Sequence, residues 1–100
     1  MKAEEFLEKY AMGVRDFSGV DLSEANLSGA KLNGVNLSQA NLSVVNLSGA
    51  NLNTANLRYA KLNVARLSGA HLMGTDLKGA SLNVANLIRA DLSHAILPKA

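Results

Sequence analysis

Leucine recurs at every fifth position through most of the chain. Sixteen leucines hold this register without a break, and Phe17 fills the slot before the first one. A small residue, usually alanine, stands two positions before each leucine, an asparagine or aspartate often stands directly before it, and the fifth position is often glycine. The register residues are Leu22, Leu27, Leu32, Leu37, Leu42, Leu47, Leu52, Leu57, Leu62, Leu67, Leu72, Leu77, Leu82, Leu87, Leu92 and Leu97.

A period of five fits neither regular secondary structure. In an α-helix, five residues advance about 500°, so the leucines would scatter around the axis. In a flat strand, side chains alternate between faces, so each leucine would face away from the one before it. All sixteen can be buried only if the chain bends by the same amount every five residues. The pattern therefore predicts an all-β solenoid, whose coils stack about 4.8 Å apart and pair their backbone groups.

The residues themselves leave the number of sides per coil open. Val44, Val64 and Val84 recur at intervals of twenty, which fits four sides. Gly19 and Gly34 lie fifteen apart, which fits three.

A family resemblance favours four sides. The runs at residues 25–29 and 50–54, ANLSG and ANLNT, resemble the repeats of the pentapeptide repeat family, and the likeness extends over about residues 16–97. The resemblance implies a right-handed quadrilateral β-helix with twenty residues per coil, hence about four coils. The expected organisation is a single domain with a repeat region over 15–100.

Residues 1–14 show a different, helical pattern. Apolar residues recur there at three-and-four spacing, with Lys and Glu on the other face, and Gly13 is a natural stop. The ends of a solenoid need capping. We therefore expect an amphipathic helix that lays Phe6, Leu7 and Tyr10 over the first coil near Phe17.

The C-terminal end has no comparable lid in the sequence. The last coil would leave apolar side chains and unpaired strand edges exposed, and such edges invite pairing with another chain. In the resembled family, C-terminal coils often form a dimer, so we expect a homodimer or a protein partner at this end. The alternative is a monomer in which Pro98 and the basic tail suffice. The candidate interface residues are Leu82, Leu87, Leu92, Ile96 and Leu97.

Charge and composition narrow the choice of function. The chain has no cysteine and no apolar run long enough to span a membrane, and its N-terminus does not resemble a signal peptide, which together favour the cytoplasm. Residues 15–100 hold eight Lys or Arg against five Asp or Glu, about +3. Some members of the resembled family mimic DNA and bind type II topoisomerases. That role needs a strongly negative surface, so the basic balance argues against it.

Candidate chemical groups favour structural interpretations. Asparagine and aspartate before the leucines are expected to bond turn backbone. His71 and His94 would lie roughly 10 Å apart at extended spacing, too far to share a metal. Asp91, Ser93 and His94 contain the letters of a hydrolase triad, but on a convex surface without a pocket. Val44, Val64 and Val84 would form an exposed apolar ridge. Because valine suits extended backbone, we expect this ridge to pack favourably between coils, with an interaction stripe as the alternative.

These observations predict a non-catalytic structural or protein-interaction module that presents a rod-like surface. We expect no enzyme activity, no cofactor, no metal and no small-molecule ligand. Arg58 and Lys78 would stack on one face of the coil, which we expect to be solvated rather than to bind nucleic acid. The biological role and a continuation of the solenoid beyond this sequence are left open.

Overall fold

The computed structural model describes residues 1–99 and consists of one helix followed by a stack of coils. The helix, α1, spans Ala3–Ala11. Parallel β-bridges connect the coils. Each bridge joins the residue before a register position to the residue twenty positions later, and the bridges run from Asp16–Asn36 to Asp76–Ile96. These bridges are single residues rather than longer strands within residues 1–99. Because the repeat is five residues and the pairing offset is twenty, each coil has four sides.

Every side uses the same backbone hydrogen bonds. The Leu42 amide donates to the Lys61 carbonyl in the next coil at 2.8 Å, and the Val44 amide donates to the Asn63 carbonyl at 2.9 Å. The next coil donates back, since the Lys61 amide bonds the Ala40 carbonyl at 2.9 Å. A turn bond within the side closes each corner, as from Val45 to Leu42 at 3.1 Å. Each coil therefore pairs with its neighbours on all four sides.

The corners lie in the left-handed region of backbone space. The residue two after each leucine has φ between 59° and 76° from Gly19 to His94, and glycine occupies seven of these sixteen positions. Glycine adopts this conformation without strain, whereas other L-residues pay roughly 1–2 kcal/mol. Val44, Val64 and Val84 have φ of 61°, 60° and 61°. The expectation that these valines suit extended backbone is therefore wrong, because they sit at corners.

The interior is a dry stack of leucine and alanine. The leucines from Leu22 to Leu77 are at most 1% exposed, and burying each one stabilises the fold by roughly 1.5–3 kcal/mol. Thr75 is the buried polar residue of this core, and its hydroxyl donates to the Leu52 carbonyl at 2.6 Å. The side chains of Leu82, Leu87 and Leu92 in the last coil are only partly buried. The core therefore loses its cover toward the C-terminal end.

The helix α1 presents a narrower face than the sequence pattern predicts. Phe6 is fully buried, and Ala3 and Tyr10 pack against the core. The expectation that Leu7 also packs there is wrong, because Leu7 is 36% exposed. Consecutive helical residues point about 100° apart, so a helix that turns Phe6 into the stack leaves Leu7 on its flank. The helix ends before Gly13, whose φ is 101°.

Candidate interaction surface

The N-terminal end of the stack is covered by side chains of the N-terminal segment, and two of its carbonyls accept hydrogen bonds from that segment. The rings of Phe6 and Phe17 meet edge to face with centroids 4.6 Å apart. The Tyr10 hydroxyl donates to the Asn33 carbonyl at 2.6 Å, and the Met1 amine donates to the Asp21 carbonyl at 2.9 Å. The N-terminal segment therefore supplies donors to first-coil carbonyls that have no coil beneath them.

The C-terminal end keeps an open hydrogen-bonding edge. From Phe17 to Leu77, the amides at the leucine and corner positions donate to the following coil, whereas the Gly79 amide has no such bond. In the last coil these amides find no acceptor among residues 1–99. Each side also leaves the carbonyl of its alanine without a donor within the described chain, as at Ala85. The open amides belong to Leu82, Val84, Leu87, Arg89, Leu92, His94, Leu97 and Lys99.

Apolar side chains accompany this open edge. Ile96 and Leu97 are each 54% exposed, Ile88 is 65% exposed and Val84 is 83% exposed. Leu82, Leu87 and Leu92 of the same coil are partly buried. The sequence-predicted residues of this end thus all lie in the last coil, which also carries the exposed side chains of Val84 and Ile88. The signal for Ile88 was available, since it stands where other sides carry Ser, Asn, Arg, Lys, Met or Pro.

Pro98 does not blunt the open edge. In most sides the amide after the leucine bonds a side chain of its own side, as Lys78 does to the Asp76 carboxylate at 3.0 Å. Pro98 occupies that position, and Ile96 stands where the accepting Asp or Asn would be. Pro98 has no amide hydrogen to donate, and Ile96 has no side-chain oxygen to accept one, so this side lacks both partners of the turn bond. The inter-coil donors of this side, at Leu97 and Lys99, are unaffected.

A concave feature adjoins the same end. A cleft of about 490 Å³ is lined by Tyr59, Lys78, Gly79, Ala80 and residues 96–99. The Tyr59 ring lies directly over the bare backbone of Gly79, where a Cβ atom would collide with it. Asp91, Ser93 and His94, which are predicted to lie on a surface without a pocket, are not among the residues that line this cleft. Residues 96–99 and the Tyr59 ring both line the cleft.

The Asp and Asn residues before the leucines perform the structural role that their position predicts. Their side-chain oxygens accept the amide two residues later, as Asn36 does from Ser38 at 3.0 Å. Hydrogen bonds from Ser18 and Ser23, respectively, lower the pKa of Asp16 and of Asp21 below its usual value. The Asp and Asn residues before the leucines therefore stabilise the corners of the coils.

The residues that resemble a triad are arranged for the same purpose. The Ser93 hydroxyl donates to the Asp91 carboxylate at 2.6 Å, and this bond is the main cause of the lowered pKa of Asp91. A nucleophilic serine instead needs a base such as histidine to accept its proton. Within residues 1–99, no three His, Cys, Asp or Glu side chains are placed to hold a metal ion.

Arg58, one of the basic residues of the repeat region, lies close to a carboxylate. Its Nε atom is 3.5 Å from an Asp76 carboxylate oxygen.

None of the helical structure between residues 1 and 99 has the length and apolar character of a membrane-spanning segment.

Comparison with known proteins identifies the repeat. A family described as pentapeptide repeats matches in eight copies, over residues 16–39, 21–58, 36–72, 50–83 and 65–100. Among curated proteins, none matches significantly.

Solved structures of pentapeptide repeat proteins share the fold. One from Nostoc PCC 7120 is 36% identical, with a TM-score of 0.58, over 98% of this chain and 86% of that one. One from the Arabidopsis thaliana thylakoid lumen is 33% identical, with a TM-score of 0.58, over 81% of this chain and 52% of that one. QnrB1, a plasmid-mediated fluoroquinolone resistance protein, is 26% identical with a TM-score of 0.59, over 80% of this chain and 44% of that one. This chain spans about half the length of the last two structures.

Proposed function

The chain belongs to the pentapeptide repeat family, and on that premise we propose that it is a non-catalytic structural or protein-interaction module whose C-terminal end binds a second copy of the chain. Its coils form a right-handed quadrilateral β-helix, as family membership implies, and α1 acts as the N-terminal cap. The residues of the contact are Leu82, Leu87, Leu92, Ile96 and Leu97, together with Val84 and Ile88.

The observation that carries this proposal is the open backbone edge of the last coil together with the exposed apolar side chains beside it. The last coil offers amide donors and carbonyl acceptors on each of its sides. An edge that carries both kinds of group can pair with a two-fold-related copy of itself, as a symmetric dimer requires. Apolar area from Ile88, Ile96 and Leu97 supplies a driving force for association, at roughly 25 cal/mol per Å² buried.

The cleft beside this end adds a feature that a flat rod lacks. Tyr59, Ile96 and Leu97 offer apolar walls, and Lys78 and Lys99 offer positive charge at the rim. An apolar side chain of the second copy fits this chemistry.

The absence of cysteine favours the cytoplasm as the compartment, although the Arabidopsis relative comes from a thylakoid lumen.

The alternative function is a DNA mimic that binds a type II topoisomerase. The likeness to QnrB1 is the observation in its favour. A mimic of the phosphate backbone needs a strongly negative surface, whereas residues 15–100 hold eight Lys or Arg against five Asp or Glu. The balance of charge therefore favours the interaction module.

The test is the mass in solution, measured by light scattering over a range of concentrations. We expect the intact chain at twice its 10.5 kDa monomer mass and the combined variant Ile96→Lys, Leu97→Lys at the monomer mass. Val64→Lys is the matched control, because it changes an apolar residue that is 49% exposed but lies away from the end. A monomeric intact chain at millimolar concentration would show that the homodimer is wrong.

A further inference from the structure

The two ends of the coil stack are complementary to each other. The open amides of the last coil are those that, in earlier coils, donate to the following coil. The carbonyls of the first coil are the corresponding acceptors, from the same positions of the repeat. A second copy placed on the last coil would therefore continue the hydrogen-bond pattern, provided that its first coil is accessible.

The number of sides fixes how the second copy must sit. Residues 15–99 make seventeen five-residue sides, which is four full coils and one side more. A copy that continues the winding after Lys99 is therefore rotated by a quarter turn. In this register its Phe17 lies on Leu82, and its Leu22 lies on Leu87.

In this register, each open amide of the last coil faces a carbonyl of the first coil of the second copy. The Leu82 amide meets the carbonyl of Asp16 in the second copy, and the Leu97 amide meets that of Lys31. In the reverse direction, the Asp21 amide of the second copy meets the Ala85 carbonyl. Each of these pairs repeats the bond that joins neighbouring coils within one chain, such as Leu42 to Lys61. The remaining corner donors, Val84, Arg89, His94 and Lys99, meet the carbonyls of Ser18, Ser23, Ser28 and Asn33.

Surface side chains also suit the junction. Arg89 would lie directly beside Glu24 of the second copy, because both occupy corner positions in one column. Asp91 would lie beside Asn26, and Ser81 beside Asp16, so the column before the leucines brings no two like charges together. An ion pair at an exposed corner adds little affinity, but it reports the register.

The helix α1 occupies this docking surface. It places Phe6 against Phe17, and the N-terminal segment already uses two of the required acceptors, the carbonyls of Asp21 and Asn33. Head-to-tail contacts that do not close on themselves grow into filaments. We propose that α1 is an assembly stop, and that its withdrawal lets the last coil bind the first coil of another copy, so that copies grow into a continuous rod.

This inference rests on the proposed function in one respect, since the last coil has to be an associating surface. The geometry of association differs, because an end-to-end dimer closes whereas the head-to-tail rod grows. With α1 docked, only the closed contact is open to the chain. A solution measurement can therefore separate the two proposals.

The first experiment displaces α1 in the full chain with Phe6→Asp. Leu7→Asp is the matched control, because it places the same charge on the exposed flank of the same helix. We expect sedimentation of Phe6→Asp to show masses that rise with concentration without a plateau, with unbranched rods by electron microscopy, and Leu7→Asp to behave as the parent. A folded Phe6→Asp variant with the mass of the parent would overturn the inference, while the Ile96 and Leu97 variants would still decide the proposed function.

The second experiment tests the same inference if Phe6→Asp does not fold. A protease recognition sequence inserted between Met12 and Gly13, both exposed, allows α1 to be cut off after the protein has folded. We expect rods to appear after cleavage and not before. Cleavage that releases α1 without any increase in mass would overturn the inference.

The third experiment tests the quarter-turn register with charge reversal. In either α1-displaced form, Glu24→Arg or Arg89→Glu alone should raise the concentration needed for growth several-fold, and the two together should restore it. Growth that is indifferent to all three variants would show another mode of aggregation and would overturn the proposed register.

Discussion

The two ends of the coil stack carry the same leucine register and yet differ in how that register ends. At the first coil, Phe17 is 3% exposed beneath Phe6, and donors from Met1 and Tyr10 meet free carbonyls. At the last coil, Leu97 is 54% exposed, and the amides have no acceptor within the described chain. A repeat specifies its own continuation but not its end. Termination therefore requires residues that lie outside the pattern, and the N-terminal segment supplies them at the first coil.

The largest contrast between the ends should appear in stability. Phe6→Ala removes a fully buried ring, and such substitutions cost about 3–5 kcal/mol. Leu97→Ala removes a half-exposed side chain and should cost less than about 1.5 kcal/mol. Urea unfolding of both variants under conditions where the protein is monomeric measures the difference. Equal losses would mean that the C-terminal end is covered as well as the N-terminal end.

Amide hydrogen exchange should show the same contrast along the backbone. The amides of Leu82, Leu87 and Leu92 should exchange at least about a hundredfold faster than those of Leu42 and Leu47, because the latter bond the following coil. The measurement is exchange followed by NMR in a monomeric sample. Slowing of the last-coil amides on raising the concentration would report association at this edge. Equal protection in the dilute monomer would contradict the open edge.

A smaller effect should follow from one hydrogen bond of the cap. Tyr10→Phe keeps the ring and removes the hydroxyl that donates to the Asn33 carbonyl at 2.6 Å. A hydrogen bond of this kind contributes about 0.5–1.5 kcal/mol, so the free energy of unfolding should fall by that amount. Tyr59→Phe is a suitable control, since the structure assigns its hydroxyl no hydrogen bond within residues 1–99. An equal loss in both would remove the special role of Tyr10.

The smallest effect concerns pH and is common to both ends. Serine hydroxyls and amides lower the pKa of Asp21 in the first coil and of Asp91 in the last. A carboxylate with a lowered pKa in the folded state stabilises the fold above its unfolded pKa, and this stabilisation is lost as the pH falls through the folded value. Ser23→Ala should therefore raise the pKa of Asp21, and Ser93→Ala that of Asp91. NMR titration of each carboxyl checks this, and an unchanged pKa would contradict the assigned hydrogen bonds.

The sequence predicts the core of this molecule better than its surface. A period of five admits no solution other than regular bending, so the buried leucines follow directly. The number of sides could not be derived from the residues, because nearly every side carries the same leucine and most carry the same alanine. Recurrences at fifteen and at twenty both occur, and only the bridges between residues such as Asn41 and Lys61 decide in favour of twenty.

The candidate site shows the same division. Exposure of Ile96 and Leu97 follows from their place at the end of the pattern. The cleft depends on how the Tyr59 ring lies over Gly79, which is a choice of side-chain conformation that no spacing encodes. The left-handed corners had a signal in the frequent glycines of the fifth position, but valine and threonine at other corners obscured it.

The pairing offset also constrains how such a protein can change its length. Removing or adding one five-residue side leaves every leucine in register, so the core tolerates it. The same change moves all later surface residues by a quarter turn relative to the earlier ones, so a change between Arg58 and Asp76 would separate these two residues. Only steps of twenty keep both the core and the surface columns intact. In this lineage, insertions and deletions in multiples of five are thus expected to preserve the fold, whereas those in multiples of twenty also preserve what the faces present to a partner.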